Sequence, residues 1–210
     1  FIFDCVPMDS CHPNSTSTCI SDEAVHQCVH LLRKNGIKLV VFDMDLTAVR
    51  EHSRGQLLRS NVEGYIAQAS PAFVALVPRL LQHGFSLAIA THSDEAEFDG
   101  PIQRGTHILG MELATRLVHD CFPPKVSQGF SIVAYNPRVH PEHDPETNKH
   151  KRHHMRILLA KYGVQGSEVA FFDDTLEVVE DCRNHCGIAH AVQVDGAIGF
   201  QLHDVINNFS

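Results

Sequence analysis

The sequence predicts an α/β protein, a doubly wound, three-layer, Rossmann-like parallel sheet, and three observations point there. Short, near-continuous apolar runs recur along the chain, as strands buried on both faces require. Each is followed by a segment with helical spacing, the alternation that builds a parallel sheet covered by helices. The runs also end in acids or Thr rather than in apolar residues, which places polar chemistry at the carboxyl ends of strands, where open α/β sheets bind ligands.

Residues 1–20 contain Pro7, Pro13 and "NSTST" and read as a loosely structured lead-in, leaving 21–210 as one domain without an internal linker. Segment 21–36 reads as a helix with Ser21 as N-cap, Asp22 and Glu23 at its positive end, Arg33 and Lys34 at its negative end, and Gly36 as its stop. The run 37–43 is then a buried strand ending in Asp43. Segment 70–84 is the next helix, with Pro71 in its first turn and Pro78 expected to kink or divide it. A strand over 85–94 ends at Thr91, and a helix is expected over 106–121. Strand 130–136, a polar stretch over 137–150, helix 151–163 and strand 167–175 follow, the last again ending in acids, Asp173 and Asp174. Helix 176–187, a short strand 188–194 and a helix over 198–209 close the chain.

Bulk properties narrow the function. The 210 residues are 43% hydrophobic and carry a formal net charge of −8, with no block of Lys and Arg, which argues against nucleic acid as the partner. No apolar run approaches the roughly 18 residues that cross a bilayer, and no signal segment is evident, so neither a membrane nor export is expected. The chain starts at Phe1 rather than Met, as a fragment or processed form would. The seven Cys are odd in number and scattered, which reads as free thiols in a reducing compartment, the cytoplasm; Cys5, Cys11 and Cys19 could pair only in an exported protein. Cys182 and Cys186 fall on one helical face and read as packing rather than half a zinc site.

Asp43, Asp45, Thr91, Asp173 and Asp174 therefore converge on one crevice. Gathered carboxylates repel each other unless a cation is present, and hard oxygen ligands suit Mg²⁺, which commonly works on phosphate oxygens. One Asp could attack phosphorus, the other protonate the leaving alcohol and later activate water, while Thr91 and a Lys neutralise the transferring oxygens.

These residues carry a resemblance. "VVFDMDLT" (40–47) resembles the first motif of the haloacid dehalogenase superfamily, Asp-x-Asp-x-Thr after an apolar strand. "LAIATHSD" (87–94) is similar to its second motif, with Thr91 at the Ser/Thr position, and "VAFFDDT" (169–175) to its acidic fourth. The third-motif lysine falls to Lys151, with Lys149 the alternative, because 151–174 resembles the magnesium-dependent phosphatase branch throughout. The resemblance covers roughly 37–203 and implies that Asp43 is the nucleophile and a metal ligand. It implies further that Asp45 is the general acid/base and binds metal through its backbone carbonyl, and that Thr91 and Lys151 hold the phosphoryl oxygens. Asp174 is implied as the third metal ligand, with Asp173 orienting Lys151 or a metal-bound water; the split between these two is left open. An Asp at position 45 implies phosphatase or phosphomutase chemistry, since the family's dehalogenases lack an acid there and its transport ATPases carry Thr.

Spacing between the motifs leaves no room for a lid domain, so a capless or minimally capped, open site is expected, acting on a phosphorylated small molecule or phosphoprotein. The rival readings are a phosphomutase or phosphotransferase on the same scaffold, and a binding or regulatory protein that retains the site. The His-rich stretch 140–154 reads as a solvated loop beside the cleft, with substrate contact, pH sensing or a second metal site as alternatives.

Overall fold

The computed structural model describes residues 20–55, 57–99, 103–140, 142–144 and 146–210. The expected lead-in, with Cys5, Cys11 and Cys19, lies outside these residues apart from Ile20.

The elements run α1 (Asp22–Lys34), β1 (Leu39–Phe42), β2 (Leu57–Leu58), α2 (Val62–Ile66), α3 (Pro71–Gln82), β3 (Ser86–Thr91), β4 (His107–Ile108), α4 (Gly110–Cys121), α5 (Pro124–Ser127), β5 (Phe130–Ala134), α6 (Arg152–Tyr162), β6 (Val169–Asp173), α7 (Leu176–Cys186), β7 (His190–Gln193) and α8 (Leu202–Phe209). Five strands form one sheet in the order β5-β3-β1-β6-β7, every neighbouring pair parallel. The sequence order jumps on either side of β1, so β1 is the central strand from which the sheet winds both ways.

All four residues of β1 are buried, and they alternate between two cores. Val40 and Phe42 pack with α1, α3, α4 and α8; Leu39 and Val41 pack with α6 and α7. Phe42 meets Phe73 at 5.1 Å, Phe172 at 5.5 Å and Phe200 at 5.1 Å between ring centroids. Such aromatic pairs add about 0.5–1.5 kcal/mol each beyond their burial, so the residue just before Asp43 is firmly held.

Register then decides what meets at the strand ends. Phe42 pairs with Ile89 on one side and Phe172 on the other, which puts Asp43 level with Ala90 and Asp173. The Asp43 N–H donates to Phe172 O at 2.8 Å, continuing the ladder by one residue.

Four local expectations need correction. Pro78 does not divide α3: the helix runs unbroken from Pro71 to Gln82. The carbonyl that Pro78 cannot serve is that of Val74, an exposed residue, so water can satisfy it. The helix expected from residue 106 starts at Gly110, because His107–Ile108 pairs antiparallel with Leu57–Leu58 as a small ribbon. Two-residue strands carry no periodicity to read. The closing helix begins at Leu202, not 198: the Gln201 N–H donates to Asp204 Oδ2 at 2.7 Å in a capping box, and Phe200 is drawn into the core with its N–H on Thr47 O at 2.9 Å. The helix expected from 151 begins one residue later, with Lys151 as its N-cap.

Cys28, Cys121, Cys182 and Cys186 are free thiols. Among the described residues no helix is long and apolar enough to cross a membrane.

Candidate active site

The carboxyl ends of β1, β3 and β6 open into a cleft of about 410 Å³, lined by Asp43, Asp45, Thr91, Lys151, Asp173 and Asp174 among others. All the residues proposed from the sequence thus share one cavity, with Lys151 rather than Lys149: Lys149 is exposed and lines an adjoining depression.

Lys151 is 1% exposed, and its Nζ donates to Asp43 Oδ1 and to Ala90 O, each at 2.7 Å. Its ammonium is thereby pinned between β1 and β3. The two neighbouring imidazoles do not compete with this charge. Burial, and then Lys151 itself, push His92 down to about 3 and His154 well below its ordinary value, so both are neutral. His154 Nε2 donates to Thr91 O at 2.8 Å, and the Ser93 N–H donates to Thr91 Oγ1 at 3.1 Å, which together fix the end of β3.

Carboxylate oxygens of Asp43, Asp173 and Asp174 lie within 4.8 Å of one another. Burial is the first cause raising all three above the usual carboxylate range. Asp43 reaches about 6 against the pull of Lys151, and Asp173 is driven up further by the Asp43 charge. Asp173 Oδ1 accepts from the Thr175 N–H at 2.9 Å, but its Oδ2 is buried without a partner among the described residues. A buried, unpartnered carboxylate oxygen is costly unless something positive occupies its other side. Three converging carboxylates and that orphaned oxygen fit a hard divalent cation such as Mg²⁺.

Asp45 stands apart from this trio. Its carboxylate accepts from Ser53 Oγ at 2.7 Å and from the Tyr65 hydroxyl, and lies 2.7 Å from His52 Nδ1. Burial pushes its carboxyl up, but His52, Tyr65 and Ser53 together outweigh that and hold it below its ordinary value. The same contact raises His52. The sequence reading missed these three partners. The turn that delivers His52 and Ser53 passes through left-handed conformations at Leu46 (φ 56°) and Arg54 (φ 57°), a path no periodic pattern announces, and Tyr65 comes from the short helix α2.

Behind Lys151, Arg152 grips α7. Its Nε and Nη2 donate to the two oxygens of Asp181 at 2.9 and 2.6 Å. Burial raises Asp181, but the Arg152 guanidinium overrides it and leaves the carboxyl below its usual range. The stability from this pair is therefore present above the ordinary carboxylate pKa and is lost as pH falls through the depressed folded value. Asp181→Asn should lower unfolding free energy by about 1.5–3 kcal/mol at neutral pH. In urea titrations the gap to wild type should narrow by about pH 3; an undiminished gap would refute the ion-pair origin.

No family model and no curated protein matches the chain. It is similar to a solved structure described as a "putative 3-deoxy-D-manno-octulosonate 8-phosphate phosphatase" from Vibrio cholerae, at 14% identity and a TM-score of 0.34. That match spans 73% of this chain and 65% of the other, less than two thirds of its length. A likeness at this level leaves the chemistry to be read from this chain's own side chains.

Proposed function

We propose that the chain is a Mg²⁺-dependent phosphomonoesterase that works through an aspartyl-phosphate on Asp43. The observation that carries this reading is the pairing of Asp43 with both a buried lysine at 2.7 Å and a cluster of carboxylates within 4.8 Å. A carboxylate held between an ammonium and a cation site is oriented for attack on an anionic phosphorus centre whose repulsion those charges offset.

Asp43, Asp173 and Asp174, with the backbone carbonyl of Asp45, would hold the ion. Bound Mg²⁺ would supply charge neutralisation for the phosphoryl oxygens and the carboxylates alike. The orphaned Oδ2 favours Asp173 as a direct ligand beside Asp174, rather than only as a residue that orients Lys151.

The Asp43 carboxylate forms the new bond to phosphorus as the ester P–O bond breaks. Lys151 steadies Asp43 and, with Thr91, holds the transferring oxygens. The departing alkoxide takes its proton from the Asp45–His52 pair. The pair, left without that proton, takes one back through Asp45 from water as water attacks the acyl phosphate, which releases inorganic phosphate and restores Asp43. The ribbon of β2 and β4 and helix α2 form the only elements inserted after β1 and before α4 among the described residues, besides α3, β3 and short turns. That leaves the cleft open to an exposed phosphoester, on a small molecule or on a protein.

A panel of phosphomonoesters assayed with Mg²⁺ should reveal hydrolysis that EDTA stops and Mg²⁺ restores; release of phosphate without any acceptor separates hydrolysis from phosphotransfer. Tight Mg²⁺ binding with no turnover across the panel would overturn the reading. The cluster also sets a pH dependence. Between its ordinary value and about 6, Asp43 stays protonated in the folded apo protein but not in the unfolded chain, so stability falls as pH rises through that window. Mg²⁺ offsets this only once the carboxylate is ionised. The gain in Tm with Mg²⁺ should be small near pH 5 and grow to a plateau above about pH 7; an equal gain at both ends would contradict a cation at Asp43.

A further inference from the structure

The histidines after β5 do not all point into solvent. We propose that His140, Glu142 and His143 form a second metal site, distinct from the carboxylate cluster and selective for a borderline transition ion, Zn²⁺ in the first instance. One ligand atom from each of the three lies within 4.8 Å of the others. Glu142 Oε1 is the shared apex: His140 Nδ1 is 3.3 Å from it and His143 Nε2 is 3.7 Å from it. The shorter is a hydrogen-bond contact that an ion would replace, and the longer is beyond hydrogen-bonding reach. They are close to the spacing of about 3.4 Å between ligand atoms around a tetrahedral ion at zinc–ligand distances near 2.1 Å.

The second ring nitrogens make the stronger case. His140 Nε2 donates to Asp94 Oδ2 at 2.8 Å, and its Nδ1, which faces Glu142 Oε1 at 3.3 Å, would bind an ion on giving up its proton. His143 Nδ1 is 2.9 Å from the Tyr135 hydroxyl, which leaves Nε2 facing the same carboxylate. A histidine whose far nitrogen is held by a carboxylate or other polar group, with its near nitrogen aimed at a shared point, is the arrangement that orients metal ligands. Asp94 is itself fixed. It is 7% exposed, its Oδ2 also accepts from the Asn136 N–H at 2.8 Å, and its Oδ1 accepts from the Ala96 N–H at 2.9 Å. The rings are held flat against Tyr135, His140 at 4.8 Å and 7° between planes, His143 at 5.8 Å and 22°.

Two imidazoles and one carboxylate are a zinc-type donor set with a position left for water, whereas the trio around Asp43 offers only oxygen. An ion here would join the segment after β5 to Asp94, three residues beyond Thr91 and bonded to Asn136 in the cleft wall. It would therefore stiffen one wall of the cleft without touching the reacting atoms. The proposal stands independently of the phosphatase reading.

The test is Zn²⁺ titration by calorimetry of the full chain, stripped of metal and then held in excess Mg²⁺ to occupy the carboxylate cluster, near neutral pH. A single Zn²⁺ should bind at low micromolar concentration or tighter. His143→Ala and Glu142→Gln, both at exposed positions, should each weaken it at least about 10-fold, and Asp94→Asn about 10–100-fold. Co²⁺ in place of Zn²⁺ should give the intense visible absorption of a low-coordinate site, lost in His143→Ala. Circular dichroism and Tm without metal confirm that each variant is folded; His143→Ala carries the decision if Asp94→Asn is not. Several weak equivalents with no tight one, a tight site untouched by His143→Ala, or a site abolished by Mg²⁺ would each overturn the proposal.

Discussion

Asp43→Asn is expected to lower kcat by at least about 10⁴-fold, the scale on which enzymes lose activity when a nucleophile is removed. An amide cannot form the acyl phosphate, yet its oxygen can still accept from Lys151, so the fold should survive. Without metal the variant strands the buried Lys151 ammonium, a cost that a second effect opposes. The substitution removes a carboxylate whose ionisation is opposed first by burial, and then by Asp45 and Asp174. It should also lose most of the Tm gain with Mg²⁺, since one of three clustered carboxylates is gone. Loss of activity together with loss of Mg²⁺ stabilisation, in a folded protein, is a pattern that a merely structural Asp43 would not produce. Activity within about 10-fold of wild type would refute its assigned role.

Lys151→Met should lower kcat by about 10²–10³-fold, the usual cost of removing one charge that meets the transition state. Its effect on stability is separable from that. Lys151 is almost fully buried and is hydrogen-bonded to both Asp43 and Ala90 O. Removing one partner of a buried pair leaves the other uncompensated, at about 3–5 kcal/mol. The double variant Asp43→Asn/Lys151→Met should therefore be more stable than Lys151→Met alone in chemical denaturation without metal, because the stranded carboxylate is gone. If the two substitutions instead add, Lys151 and Asp43 do not interact as the 2.7 Å contact requires.

The strand ends were readable because burial on both faces leaves a distinctive trace. An apolar run such as Leu39–Phe42 can stop at an acid only where the strand leaves the core. Asp43, Thr91 and Asp173 follow that rule, and parallel register then brings them together. The resemblance favoured Lys151 over Lys149, and Lys151 is the one that lines the cleft, but spacing alone did not separate them, since both precede the same helix; the left-handed His150 between them (φ 49°) helps turn one inward and leave the other in solvent. Nor were Ser53 and Tyr65 readable, because their contacts with Asp45 arise from an irregular turn and from a five-residue helix too short to show amphipathic spacing. The stack of His140, His143 and His153 on Tyr135 is equally silent in sequence. It depends on how the segments after β5 and at the start of α6 meet, which composition alone does not determine.

Covalent phosphorylation of Asp43 can be detected directly. Turnover quenched in acid, followed by borohydride, reduces an aspartyl-phosphate to homoserine, and peptide mass spectrometry locates the changed residue. Homoserine at position 43, dependent on both substrate and Mg²⁺ and absent from Asp43→Asn, is the expected result. Active turnover with no modified residue, or with the label at Asp45, Asp173 or Asp174 instead, would contradict Asp43 as the nucleophile.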